Sequence, residues 1–171
     1  MNQRWAAEDD PSSRELCRCS FVVIGYGNDL RGDDAVGPRV ALSVARWRRP
    51  GVMAIAAHQL TPELATRLVP ATFAIFVDAS RAEDASPSFY SRRIEPSSGA
   101  LMRGHTADPQ ALLALTQLAY GRCPQAWWIT IPAQCFDFGA ELSPTARRGA
   151  AAALRYIRAR IRPQGAIHAR S

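Results

Sequence analysis

The sequence predicts an α/β fold: a three-layer sandwich with a mainly parallel, twisted sheet of about five strands and helices on both faces. Three observations carry that reading. Apolar runs without polar alternation recur at residues 21–24, 52–57 and 73–77, the pattern of strands buried on both faces. Stretches with helical apolar spacing alternate with them, which is how a covered parallel sheet is built. Finally, Asp34, His58, Asp78 and Cys135 fall just past successive strands, and open α/β sheets bind their ligands at the carboxyl ends of the strands.

Taken in order, residues 1–19 are polar and mixed and predict a flexible N-terminal tail. The run FVVI then feeds Gly25 and Gly27, which let the backbone turn sharply and approach a ligand closely. A first helix is expected over about 34–49, with Val36, Val40, Ala41, Val44 and Trp47 on its apolar face. Pro38 is tolerated only in its first turn, and Pro50 with Gly51 ends it. A second strand, 52–57, stops at His58.

Thr61-Pro62 supplies a cap and a first-turn proline for a short helix over about 62–69, and the strand 73–77 ends at Asp78. Residues 89–94 mix aromatic and basic side chains, as a half-exposed edge strand does. A loop over 97–106 carries His105. Asp108-Pro109 repeats the capping device before a helix to about Tyr120. The last strand is 126–131, and Ser143-Pro144 opens a closing helix with Ala146, Ala150, Ala153, Leu154 and Ile157 on its buried stripe. One domain over 20–162 is expected, followed by a frayed tail at 163–171.

The 171 residues suffice for one domain with a real core, and 47% apolar with 21% charged residues is ordinary globular composition. No apolar run nears the roughly 20 residues needed to span a bilayer. The first residues carry Glu8, Asp9, Asp10 and Glu15 instead of an apolar signal core. A cytoplasmic monomer away from membranes is expected, with Cys17, Cys19, Cys123 and Cys135 reduced. Cys17 and Cys19 do not have a zinc spacing.

The net charge is +6 and every basic residue is arginine. Arg46, Arg48 and Arg49, and again Arg155, Arg158, Arg160 and Arg162, sit where helices should end. There they would offset helix dipoles. No nucleic-acid module accompanies them, so a nucleic-acid partner is not expected.

The glycine turn does not read as a nucleotide site. A dinucleotide fingerprint would need a small residue at Leu30 and an acid where His58 stands. Asp29, Asp33 and Asp34 would also repel a pyrophosphate. One of Asp33 and Asp34 can serve as the helix N-cap. The other would face Asp78 if the first and third strands are neighbours. Like charges held that close raise each other's pKa unless a cation or a shared proton compensates. His105 would complete a mixed oxygen and nitrogen set suited to nickel, zinc or iron, although a lone loop histidine is more often only solvated. His58 can line the site or merely end its strand. Cys135 with His105 as a thiol and base pair is a weaker alternative to a buried, inert Cys135.

The run GYGNDLRGDDAVG, the strand end FVDAS and the segment GHTADPQALLAL together resemble the hydrogenase maturation proteases. These endopeptidases trim the large subunit of nickel-iron hydrogenases. The resemblance spans residues 21 to about 160, and its specific part is the strand followed by GxGNxLxxDD. It implies a peptidase that recognises nickel already inserted in the large-subunit precursor and removes a C-terminal extension, with no permanently bound cofactor. The implied metal-contacting and catalytic positions are Asp34, Asp78 and His105, with Asp33 as cap or support. Gly25, Gly27, Asn28 and His58 are the implied substrate-binding positions. Some members carry Glu at the position of Asp34. Many also have an acidic, glycine-containing turn where this chain has HQLTPELA, a departure that bears on substrate identity. A non-catalytic metal-binding or chaperone-like maturation factor is the alternative on the same fold.

Overall fold

The computed structural model describes residues 20–81, 87–99 and 108–161. The predicted tails at 1–19 and 163–171, and His105, lie outside these described residues. The strands are β1 (Phe21–Tyr26), β2 (Val52–Ala57), β3 (Phe73–Arg81), β4 (Tyr90–Ile94) and β5 (Gln125–Ala133). The helices are α1 (Val36–Ala45), α2 (Ala65–Leu68), α3 (Pro109–Tyr120) and α4 (Pro144–Arg160).

The strands form one sheet in the order β2-β1-β3-β5-β4. All neighbours are parallel except β4, which runs antiparallel to β5. The apolar runs of β1 and β3 are continuous because both faces are covered, whereas β2, expected to be buried likewise, lies at the sheet edge and is only half-buried. Phe21 and Val23 of β1, with Ile75 and Val77 of β3, pack against α1 and α4 through Val36, Val40, Ala146 and Ile157. The alternate residues Val22, Ile24, Ala74 and Phe76 pack on the other face against Leu68, Leu112 and Leu113. Each fully buried Ile, Leu or Phe of these clusters contributes about 1.5–3 kcal/mol by leaving water.

Close approach of β1 and α1 depends on two glycines meeting. A Cβ at Gly25 would lie 1.9 Å from the Gly37 carbonyl oxygen, and one at Gly37 would lie 2.5 Å from that of Tyr26. The open face of Gly25 is therefore filled by α1, and its contribution to the site is to let the helix start beside the strand ends.

Several expected boundaries move. The first helix runs only Val36–Ala45 and is entered through a 3-10 turn at Gly32–Ala35. It stops early because Trp47 and Arg48 donate to carbonyls three residues back, and Arg48 adopts a left-handed φ of 47°. Arg46, Arg48 and Arg49 thus lie beyond α1 instead of in its last turn. Arg49 donates to the Ile161 carbonyl at the end of α4, at 2.6 Å. Arg158 stacks on Trp47, and Arg160 on Trp127 and Tyr156. Asp108 and Ser143 cap α3 and α4 as expected, accepting from the amides of Gln110 and Ala146. Thr61 makes no side-chain cap.

Strand β3 does not end before Asp78. Its pairing with β5 continues through Asp78↔Thr130 to Arg81↔Ala133, whereas its pairing with β1 stops at Gly25↔Val77. Asp78 is thus a strand residue, fixed by the sheet at the point where β3 outruns β1.

Candidate active site

The exit of β1 is pinned by local hydrogen bonds. Gly27 takes a φ of 141°, and a Cβ there would lie 2.1 Å from the Asp34 carbonyl oxygen. Its amide donates to the Ala57 carbonyl at the end of β2, at 3.2 Å. Asn28 closes the turn by accepting from the Leu30 amide at 3.0 Å. The backbone amide of Asn28 donates to Asp34 Oδ2 at 2.8 Å. Of the predicted substrate-binding residues, Asn28 therefore holds the Asp34 carboxylate directly, and Gly27 leaves room for the Asp34 backbone.

Neither aspartate of the DD pair caps the helix. The N-cap position of α1 is Ala35, with no side-chain bond. Asp33 is fully buried and turned the other way. Its carboxylate accepts from the amides of Gln134 at 2.7 Å, Cys135 at 3.1 Å and Ser143 at 2.6 Å, and from the Ser143 hydroxyl at 2.7 Å. Burial alone would raise its pKa, yet these donors together hold it below the usual carboxylate range. Asp33 is a structural anchor that ties the 3-10 turn to the segment between β5 and α4.

Asp34 and Asp78 are both half-buried. Asp78 accepts from the amide of Ala79 at 2.8 Å. Its pKa is pushed up to about 6, chiefly by burial. The neighbouring Tyr26 hydroxyl and the Ala79 amide pull it back, and the charge of Asp34 raises it further. The chain has thus brought two carboxylates within electrostatic reach where β1 ends and β3 runs on beside β5, and burial raises the pKa of one of them to about 6.

His58 is exposed just past β2. It lines a cavity of about 410 Å³ with Gly27, Asp29, Pro38, Arg39 and Leu42. That cavity shares Gly27 with the turn that carries Asp34, so it adjoins that turn. Cys135 is a half-buried free thiol, and its Sγ lies 3.6 Å from Asp137 Oδ2. Its backbone serves the fold, donating to Asp33 and accepting from the Asp33 amide at 2.7 Å. Among the described residues, no three His, Cys, Asp or Glu side chains group as a metal site, and His105 is not one of those residues.

No family model and no curated protein matches the chain. Solved structures do. The hydrogenase maturating endopeptidase HybD from E. coli superposes with a TM-score of 0.67 at 19% identity, covering 85% of this chain and 94% of that one. HybD, the NiFe hydrogenase maturation protease of Thermococcus kodakarensis, gives 0.65 at 18%, covering 84% and 99%. The hydrogenase 2 maturation peptidase of a Thaumarchaeota archaeon gives 0.59 at 25%, covering 81% and 95%. The chain has the fold of the hydrogenase maturation endopeptidases.

Within this endopeptidase fold two features escaped the sequence. The buried anchor at Asp33 depends on Ser143, 110 positions away, and only the repeated Ser-Pro cap hinted that the segment mattered. The second is Tyr26, whose ring fills the apolar layer beside Ile24 and Phe76 while its hydroxyl reaches the Asp78 carboxylate region. A tyrosine in an otherwise aliphatic buried strand end is the signal that could have found it.

Proposed function

We propose that this protein is an endopeptidase that removes the C-terminal extension of a nickel-iron hydrogenase large-subunit precursor after nickel insertion. The observation that carries this reading is the Asp34 and Asp78 pair. Two carboxylates lie near the carboxyl end of β1, the Asp34 charge reaches Asp78, and a cation between them would relieve the repulsion. Nickel arriving with the precursor supplies it, and the fold shared with the maturation endopeptidases supports the assignment. Asp34, Asp78 and His105 contact that metal and so align the scissile peptide. The enzyme acts in the cytoplasm as a monomer and keeps no metal of its own.

In the reaction, Asp34 is held by the Asn28 amide and presents a fixed anionic oxygen. Asp78, through a carboxylate oxygen, takes a proton from the attacking water as general base. The cavity bearing His58 and Arg39 receives the peptide beside these groups. No serine or cysteine nucleophile is needed.

Incubation with a nickel-loaded large-subunit precursor, followed by mass measurement, tests this. A product shortened at its C-terminus is expected. Binding without shortening would favour a chaperone-like factor instead.

A further inference from the structure

Four side chains share one face of the sheet near the candidate site. Residue parity along each strand puts Tyr26 of β1, Asp78 of β3, and Trp128 and Thr130 of β5 on the face that α2 and α3 cover. The even-numbered Val22, Ile24, Ala74 and Phe76 pack there, and Trp128 is paired with Phe76 as Thr130 is with Asp78. Two polar atoms in this group stand out. Tyr26 is 4% exposed. Its hydroxyl and the Trp128 indole N–H are both buried with no formed hydrogen bond among the described residues. Such groups are normally satisfied, and a buried orphan beside a candidate site calls for an explanation, a catalytic role among them.

We propose that Tyr26 is a positioning residue for Asp78: its hydroxyl donates to the Asp78 carboxylate, and the Trp128 N–H donates in turn to the Tyr26 oxygen. Register and parity set Asp78 and the Trp128 indole on the same face of the sheet as the Tyr26 ring, so the hydroxyl has one acceptor and one donor on its own face. Bonds of this kind are often long in a resting enzyme and tighten when substrate is seated. The chain Trp128 to Tyr26 to Asp78 fixes which carboxylate oxygen is left free for chemistry, a task the short Ala79 amide contact does not complete alone. Tyr26 therefore orients the base without touching substrate.

This inference rests on the peptidase reading for its kinetic consequence, and its first test does not. Protein labelled with 13C at aspartate side-chain carboxyls gives an Asp78 signal identified by its loss in Asp78→Asn. At a pH where Asp78 is ionised, Tyr26→Phe should shift that signal. Tyr156→Phe, which removes a hydroxyl bonded to Ser91, should leave it in place. On the nickel-loaded precursor, Tyr26→Phe should lower single-turnover cleavage by about ten- to a hundredfold with unchanged precursor affinity. A merely structural role would lower thermal stability without that split. An unmoved Asp78 signal, or wild-type cleavage by Tyr26→Phe, overturns the proposal. A shifted signal with no cleavage by the wild type instead leaves the positioning intact and removes the peptidase reading.

Discussion

Asp33 and Ser143 are joined twice across 110 residues of sequence, by the Ser143 amide at 2.6 Å to Oδ1 and the Ser143 hydroxyl at 2.7 Å to Oδ2. That double bond fastens the turn carrying Asp34 to the start of α4, because the same hydroxyl also caps the helix at the Ala146 amide. Asp33→Ala would leave three amides and a hydroxyl without their acceptor, and should destabilise the protein by about 3 kcal/mol or more. Ser143→Ala should lose about 1–2 kcal/mol through one bond and the cap. Urea unfolding with unchanged m-values checks both.

The same anchor predicts an acid dependence. The donors around Asp33 lower its pKa in the folded protein below the ordinary aspartate value, so the unfolded chain takes up the proton first as pH falls. Its stabilisation is therefore complete above that unfolded value and is lost as pH drops through the lower folded one. The stability gap between the wild type and Asp33→Asn should be constant from neutral pH to about 5. It should narrow below the unfolded pKa.

Asp78 predicts the opposite sign. Burial lifts its folded pKa to about 6, above the ordinary aspartate value, so protonation favours the folded state. This contribution is full below the unfolded pKa and is lost as pH rises through about 6. Asp78→Asn should therefore be more stable than the wild type above that range, by on the order of 1–3 kcal/mol, and nearly equal to it at low pH. Melting temperatures measured across the range decide this. A gap that does not change with pH would contradict the burial of the charged form.

Much of the fold was legible in the sequence because apolar runs in β1, β2 and β3 and Pro-marked helix starts report local rules that the packing does not override. The DD pair was harder. Its two aspartates look alike in sequence, and only the long-range amides of Gln134, Cys135 and Ser143 separate the buried anchor Asp33 from the half-buried Asp34. Asp78 could be placed at a strand end, but the continuation of β3 alongside β5 depends on a pairing 52 positions away, Asp78↔Thr130, which periodicity does not reveal. The glycine turn was read correctly as a tight turn. That Gly25 faces Gly37 follows from helix approach and has no local signature.

That approach is itself testable. Gly25→Ala places a Cβ 1.9 Å from a backbone oxygen of α1, so the helix and its leading turn must shift. A loss of at least about 1–3 kcal/mol is expected from overpacking. Processing should fall as well, because Asp34 moves with the turn. Circular dichroism melts together with the cleavage assay measure the two effects. Full activity at reduced stability would mean that the position of Asp34 does not depend on the glycine contact.

The central claim is that the Asp34 and Asp78 pair performs the chemistry on a nickel-bearing precursor. The most direct measurement is the mass of that precursor with time after addition of the wild type, Asp34→Asn or Asp78→Asn under single-turnover conditions. The account predicts that the wild type shortens the precursor, while each variant remains folded and cleaves at least about a hundredfold more slowly. Wild-type cleavage by both folded variants would contradict it.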